Sequence, residues 1–520
     1  MTGTKTGAEA LMATAIEAGI EICLANPGTT EMPLVSALDA VPGIRPVLCL
    51  HENVATGAAD CYARMAGKPA MTVLHLGPGL ANGLTNLHNA RRAHTPVVNV
   101  IGDHASWHIA ADPPLNSPLE QIASAVSGFV RQNQGADSLT NDMAETVAAS
   151  RLQGGQVATL IVPHDNQMAL TKVGIAPVPV LDAPGFEVDN VVTAEQALLK
   201  GNGALYLGGV ALSEKALRLA GSIATFTGAV LICETFFARM ERGGDLPAPV
   251  KLPYFPEKAI ALLEQFDHVV SVGSVPPVAF FGYPDHPSWL TDPKQDILLA
   301  GPDEDVVAAL TALSETLGAA GLAPKPVTIP NFVLAALPSG ALTPQALCGV
   351  IAQLQPENTI MMDEGLTVSA AYHEASKGAR RFTHLQLTGG AIGMGPGGAT
   401  GAALACPDRQ VINLQADGSA AYSVQALWTQ AREKLDVLTV ILSNRSYEIL
   451  NVELQRAGIT EPGPAARSMA SLDDPAIDWV SLAKGFGVPG VAVRTAEEFA
   501  AALERAIEKE GPFLIEAIMS

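Results

Sequence analysis

The chain is expected to fold as α/β, in three doubly wound parallel-sheet domains, and three observations point there. Short apolar and β-branched runs alternate with helical stretches along nearly the whole length, the mark of strands joined by helical crossovers. Strands of the first third end in polar or glycine-rich loops, where open α/β sheets bind ligands. Two proline-rich stretches punctuate the chain: Pro177-Val178-Pro179 with Pro184 close behind, and Pro324-Lys325-Pro326 through Pro330. Proline stiffens extended linkers, so the expected domains are 1–170, 185–325 and 340–520.

In the first segment a helix is expected over Ala8–Ala18, then strand Glu21–Leu24 and the loop Asn26-Pro27-Gly28-Thr29-Thr30-Glu31-Met32-Pro33. Strand Pro46–Cys49 ends at His51-Glu52, which opens the helical pattern Val54–Met65. Strand Met71–His75 ends at the loop Gly77-Pro78-Gly79, followed by helix Leu80–Arg91 and strand Val97–Ile101. The second segment reads as strands Ala204–Leu207, Ala229–Cys233, His268–Val272 and Asp296–Ala300 separated by helices. The third places strands at Val411–Leu414 and Val437–Leu442, with a helix expected over Tyr422–Lys434. The glycine-rich stretch Gly389–Gly401 has no strong strand before it and no suitably spaced acidic residue after it. It is therefore a weak dinucleotide loop, and close backbone approach to a flat ligand explains its glycines as well.

At 520 residues the chain exceeds a single core. Apolar residues make up 48% and charged residues 16%, which favours a compact oligomer. The net charge of −21 leaves no excess of cations to replace phosphate counterions, so nucleic acid and anionic membranes are not expected partners. Six cysteines, Cys23, Cys49, Cys61, Cys233, Cys348 and Cys406, show no paired metal spacing, and they read as buried thiols of a reducing compartment. No apolar run approaches a membrane span and the N-terminus lacks a signal-peptide core; a cytoplasmic location is the default.

The chemistry-bearing stretch is Gln410 to Tyr447. Asp417-Gly418-Ser419 falls just beyond one expected strand, and Asn444 lies 27 residues after Asp417, just beyond the next. Two oxygen ligands at the crest of one parallel sheet can hold a hard cation, which then bridges to phosphate. Gly418 and Ser419 add backbone N–H groups and a hydroxyl at a helix N-terminus, where a diphosphate is well stabilised. Alone, Asp-Gly-Ser is more often simply a turn.

Ala416-Asp417-Gly418-Ser419 with Ser443-Asn444 resembles the thiamine-diphosphate signature, Gly-Asp-Gly then Asn-Asn, with Ala416 and Ser443 departing from it. His51-Glu52 followed by Gly57, Ala59, Asp60, Tyr62, Ala63 and Arg64 looks like the segment that carries that superfamily's catalytic glutamate. Gly77-Pro78-Gly79 with Asn82 and Asn89-Ala90 looks like the loop and helix that follow it. Across essentially its whole length the chain resembles the thiamine-diphosphate-dependent decarboxylase and carboligase superfamily, most like benzoylformate decarboxylase, with the acetolactate-synthase group next.

The resemblance implies pyrimidine-binding, middle and diphosphate-binding domains, with thiamine diphosphate and Mg2+ as cofactors. It makes Asp417, Asn444 and Ser446 the metal set. Glu52 would bond the aminopyrimidine ring, Gly390 its amino group, and Ile392 would lie under the bend of the cofactor. Asn82, Thr367, Gly418, Ser419, Tyr422 and Tyr447 complete the cofactor contacts. His75 matches one catalytic histidine of benzoylformate decarboxylase, and Thr29 takes the place of a serine that touches the substrate carboxylate. The second histidine is missing: Phe280-Phe281-Gly282-Tyr283-Pro284 occupies its place and His286 is displaced. His104, with His108, is a candidate replacement, or else a loop residue against a neighbouring subunit.

The implied reaction is non-oxidative decarboxylation of a 2-oxo acid to an aldehyde, with carboligation to acyloins as a further outcome. A homodimer or homotetramer is implied, its active site between subunits. An acetolactate-synthase-like carboligase and a non-catalytic cofactor-binding homologue stay open; FAD is not expected, because the middle segment is short for a flavin. Glu448 and Glu453, after Asn444, are pocket candidates whose orientation decides the substrate.

Overall fold

The computed structural model describes residues 4–152, 154–182, 184–325 and 336–519. Two compact units form, Met1–Leu181 with Leu337–Ala371 and Leu387–Ser520, and Asp182–Ala336 with Tyr372–Gln386. The change of unit at Leu181/Asp182 lies within the first proline-rich stretch; Pro326 through Pro330 of the second lie outside the described residues.

The first unit holds two parallel sheets. In one, neighbouring strands run in the order Arg45–Leu48, Ile22–Asn26, Ala70–His75, Val97–Asp103, Val157–Pro163 and Phe129–Gln132. Val97–Asp103 and Val157–Pro163 are buried at every position, as central parallel strands covered on both faces must be. Helices Gly7–Glu17 and Leu139–Ser150 cover one face through Leu11, Met12, Leu139, Met143 and Val147. Each such side chain removed from water is worth roughly 1.5–3 kcal/mol. Thr6 and Glu9 form a reciprocal cap that starts the first helix.

The other sheet runs Thr359–Glu364, Val411–Ala416, Val437–Ser443, Phe513–Ile518 and Gly490–Val493, all parallel. Helix Gly395–Ala405 packs on helix Glu52–Ala66 within this unit. Small residues allow the backbones to close in, and a Cβ on Gly401 would overlap the Ala58 carbonyl.

The second unit is built on the parallel order Val250–Lys251, Val230–Cys233, Gly203–Leu207, His268–Val272 and Asp296–Ala300. Its core includes Leu205, Leu207, Ile223, Val270 and Leu299. Strand Arg239–Arg242 pairs antiparallel with Phe382–Gln386, and the buried Arg242 donates to Ser376 Oγ (3.0 Å) and the His373 carbonyl (2.7 Å).

Three local expectations need correction. Gly77-Pro78-Gly79 is not a loop, because the helix spans Leu76–Arg92 and Pro78 falls in its first turn, where a missing N–H costs nothing. The expected Tyr422–Lys434 helix is instead a short helix Asp417–Ala420, a stretch of i→i−3 bonds through Ser423 and Leu427, and helix Ala426–Glu433. Phe382–Gln386 is a strand before the glycine run, hidden in the sequence because its polar Thr383, His384 and Gln386 are buried.

A buried ion pair tests how tightly the Glu52 helix is anchored. Arg64 donates to both Asp60 oxygens (2.7 and 2.6 Å), and Thr95 Oγ1 adds a third bond to Asp60 (2.7 Å). Asp60→Ala leaves the guanidinium buried without its counter-charge, so urea unfolding of this unit is expected to lose about 3–5 kcal/mol. A loss below about 1 kcal/mol would show that the pair is not structural.

Candidate active site

Strands of a parallel sheet all deliver their carboxyl ends to one edge, and two such edges carry the candidate residues. In the first sheet the chain leaves Ile22–Asn26 toward Arg45–Leu48 on one side, whereas Ala70–His75, on the other side of Ile22–Asn26, leads away to Val97–Asp103, so a crevice opens between the ends of Ile22–Asn26 and Ala70–His75. The turn Thr29–Glu31 lies there beside His75. The fully buried Glu31 accepts from the Gly28 N–H (2.8 Å), from Thr30 Oγ1 (2.5 Å) and from His75 Nδ1 (2.8 Å). A Cβ on Gly28 would overlap the His75 ring, and one on Gly102 would overlap the Glu31 carboxylate. Thr29 itself is exposed.

Glu52 opens helix Glu52–Ala66, with His51 as N-cap accepting from the Asn53 N–H (3.1 Å). It is buried, and Asn82 Nδ2 donates to its Oε2 (3.0 Å). Gly79 stands between Glu52 and His75: a Cβ there would be 3.3 Å from Glu52 Oε1 and 3.4 Å from His75 Cβ. The first crest thus gathers Glu52, Asn82 and His75. His104 follows the strand end at Asp103 and its Nε2 is buried with no hydrogen-bond partner among the described residues, while His108 is exposed and edge-on to it at 5.8 Å.

The second crest gathers Asp417 and Asn444. Asp417 accepts from the Gly418 N–H at Oδ1 (2.8 Å) and from the Arg445 N–H at Oδ2 (2.6 Å), so it ties the end of Val411–Ala416 to the residue after Asn444. Arg445 takes a left-handed φ of 56° at this junction. Burial pushes the Asp417 carboxyl up from its ordinary value, against the two N–H groups that hold it down. A buried carboxylate in that position is relieved by a cation. Asn444 Oδ1 accepts from the Ser446 N–H (3.1 Å), and Ser446 Oγ is engaged by the Ala470 carbonyl (3.2 Å) and Asn451 Nδ2 (3.1 Å). The Tyr447 ring lies against Gly418, where a Cβ would overlap it, and its hydroxyl donates to the Gly418 carbonyl (3.4 Å). Ser419 is held by Gln415 Nε2 (2.6 Å) and donates to the Ala416 carbonyl (3.1 Å).

The glycine run is shaped from both sides. Asn89 accepts from the Gly389 (3.1 Å) and Ala391 (3.3 Å) N–H groups and donates to the Ala391 carbonyl (2.8 Å), so Gly390, at φ 75°, forms a tight turn with the half-buried Ile392 after it. Glu364, fully buried, accepts from the Gly393 (2.6 Å) and Gly395 (2.5 Å) N–H groups and from Gln415 Nε2 (3.1 Å). Burial nonetheless raises its carboxyl to about 7. A Cβ on Gly393 would meet the Tyr422 Cβ at 2.6 Å, which places the half-exposed Tyr422 beside this turn. Thr367 is exposed. Glu448 is exposed and held by Asn451 (3.1 Å), and Glu453 lies 3.9 Å from Arg456. His286 lies 4.0 Å from Glu257 in the second unit. Glu31 and Glu364 were given no role from sequence, and Asn89 entered only as part of the motif after Asn82; the bonds of Glu31 to His75, of Glu364 to Gly393 and Gly395, and of Asn89 to Gly389 and Ala391 join segments far apart in the chain.

Residues 5–124 match the family described as thiamine pyrophosphate enzyme, N-terminal TPP binding domain, and residues 365–517 match the corresponding C-terminal TPP binding domain. Over 515 residues, 99% of both chains, the sequence is 44% identical to a Mycobacterium tuberculosis protein provisionally named acetolactate synthase large subunit IlvX. This chain belongs to the thiamine pyrophosphate enzymes. It is also 26% identical to benzoylformate decarboxylase of Pseudomonas aeruginosa, over 96% of each chain. The fold is similar to that of a 4-hydroxybenzoylformate decarboxylase of Rhodococcus jostii, with a TM-score of 0.85 at 24% identity over 99% of each chain. The two family matches fall on the two crests.

The residues present suit the family's cofactor. The first turn of Asp417–Ala420 has no backbone acceptor inside the helix for its N–H groups, that of Gly418 being held by Asp417 Oδ1; Gly418 leaves its space to Tyr447, and the bond from the Arg445 N–H to Asp417 Oδ2 brings the Asn444 segment to the same strand edge. Gly418→Ala is expected to weaken thiamine diphosphate binding at least tenfold by calorimetry, and a second change, Tyr447→Ala, to restore part of it by making room. Affinity unchanged by Gly418→Ala would show that the Tyr447–Gly418 contact does not shape the diphosphate site.

Glu364 carries a pH signature. A carboxyl raised to about 7 from 4.5 contributes most to folding below pH 4.5 and loses that contribution as pH rises through about 7. The thermal midpoint of wild type is therefore expected to fall relative to Glu364→Gln between pH 5 and 8. Parallel profiles would contradict the burial of this carboxylate.

Proposed function

We propose that this enzyme catalyses the magnesium-dependent, non-oxidative decarboxylation of a 2-oxo acid. The observation that carries the reading is the gathering of Glu52 and His75 on either side of Gly79 on one crest, a carboxylate and an imidazole-bearing side chain of the kind that acid–base chemistry needs. Thiamine diphosphate, when bound, would supply a deprotonated ring carbon as nucleophile and a ring that serves as electron sink, the chemistry that loss of carbon dioxide from a 2-oxo acid requires. Asp417, Asn444 and Ser446 would hold Mg2+ against the diphosphate, with Gly418, Ser419 and Tyr447 beside it. Gly390 and Ile392 would seat the rings, and Glu52 would bond the pyrimidine, its other face steadied by Asn82. Thr29 offers its exposed hydroxyl to the substrate carboxylate, and His75 holds or delivers the proton that completes the aldehyde.

The reading includes pyrimidine-binding, middle and diphosphate-binding domains over 1–170, 185–325 and 340–520. It also includes a homodimer or homotetramer in which Glu52 of one copy faces Asp417 of another. No described helix is long and apolar enough to cross a membrane, and all six cysteines are free, which supports a reducing, cytoplasmic setting. The 44% identical relative favours a second reading, an acetolactate-synthase-like carboligase that joins two 2-oxo acids.

Carbon dioxide release from a panel of 2-oxo acids, with thiamine diphosphate and Mg2+, separates the two by product: an aldehyde, or an acyloin made from it, for the first, and a hydroxy-keto acid that keeps one carboxylate for the second. Glu52→Gln is expected to lower release at least about 100-fold, as loss of a positioned acid–base group does, and chelation of the metal to abolish it. Release unaffected by Glu52→Gln would overturn both.

A further inference from the structure

We propose that Glu31 is a positioning residue that fixes the tautomer and ring orientation of His75, leaving Nε2 alone to meet the reacting group. The proposal rests on the reading of His75 as proton carrier only for its consequence in turnover; the pairing itself stands on geometry.

The protons can be counted. The Thr30 hydroxyl has one hydrogen, and at 2.5 Å it is given to Glu31 Oε1. Thr30 Oγ1, 3.2 Å from His75 Nδ1, is then an acceptor toward the ring. Glu31 Oε2, 2.8 Å from the same nitrogen, is an acceptor too, and it already takes the Gly28 N–H. Two acceptors facing one ring nitrogen require that Nδ1 carry the hydrogen. Nε2 is left with the lone pair in the neutral ring. A nucleophile or base oriented by a third, carboxylate-bearing group follows the same logic in many unrelated sites.

Burial and space agree with the count. The Glu31 side chain is wholly buried while that of His75 is 22% exposed, so the carboxylate stands behind the ring and the ring stands at the surface of the crevice. Gly102 leaves room for the carboxylate and Gly28 for the ring, so neither side chain can swing without meeting backbone. The other titratable groups around the pair are Glu52 across Gly79, Asp103 beside Gly102, and His164, whose Nδ1 is 3.2 Å from the Thr30 carbonyl. None of these bonds His75.

Replacing Glu31 by Gln changes the count. The new amide donates to Thr30, the Thr30 hydrogen is freed to point at Nδ1, and both tautomers open. The test is the site of methylation on His75. The holoenzyme is treated with a methyl sulfonate ester and the peptide bearing His75 is analysed for Nδ1- and Nε2-methylhistidine. Wild type is expected to give the Nε2 product alone and Glu31→Gln a mixture of the two. Thr30→Val, which keeps the carboxylate on Nδ1, is expected to retain the single product and guards against a general loosening. A single Nε2 product in Glu31→Gln, or a mixture in Thr30→Val, would overturn the proposal.

Turnover is read separately. Glu31→Gln is expected to lower kcat at least tenfold with KM within threefold, and to have little further effect in a His75→Gln background. A full additional loss in that background would also overturn it. Turnover unchanged by His75→Gln would sink the proton-carrier reading, while the methylation pattern would still decide the role of Glu31.

Discussion

A parallel sheet has a direction, and this constraint governs both candidate crests. Each strand needs a crossover to return the chain to the start of the next, so the loops that leave the carboxyl ends collect along one edge whatever the spacing in sequence. Asp417 exploits this with one bond: its Oδ2 accepts from the Arg445 N–H across 28 residues and draws Asn444 to the same crest. Gly28, Glu31 and His75 meet in the same way on the other sheet, from the ends of Ile22–Asn26 and Ala70–His75.

What surrounds the crests is a set of buried polar side chains whose partners are mostly backbone. Glu364 and Asn89 bind N–H groups of a glycine-rich run that has few side chains to hold itself in shape. Glycine loses more freedom on folding than any other residue, so a turn rich in it needs bonds from outside. Glu364 gives those bonds at the expense of burying a carboxylate, and its raised pKa is the record of that conflict. Glu31 is likewise a buried carboxylate, bonded to the Gly28 N–H, the Thr30 hydroxyl and His75 Nδ1.

Much of this was legible in the residues themselves. Apolar runs such as His268–Val272 and Asp296–Ala300 coincide with the strands formed, because alternating strands and helices leave few other ways to bury them. Asp417 and Asn444 were legible as a pair because each follows one of two successive apolar runs and their spacing resembles the thiamine-diphosphate signature, whereas Asp-Gly-Ser alone would have read as a turn. The strand Phe382–Gln386 was not, since its polar residues are buried by partners from elsewhere in the chain. The break in the helix after Asp417 was likewise hidden: helix propensity continues through Ala420-Ala421, and only the i→i−3 bonds of the folded chain overwind it.

The sequence by itself determined the class of fold, the places where strands end, and the residue types able to bind a cation, a diphosphate and a proton. Those follow from local periodicity and side-chain chemistry, which need no neighbour. The tertiary structure alone decided which of those residues meet. Glu31 was one acidic residue in a loop until Gly28, Thr30 and His75 were placed around it, and Gly79 was one glycine in a turn until Glu52 and His75 stood on either side. Hydrogen bonds act over about 3 Å, a distance that strand pairing sets and that separation along the chain does not.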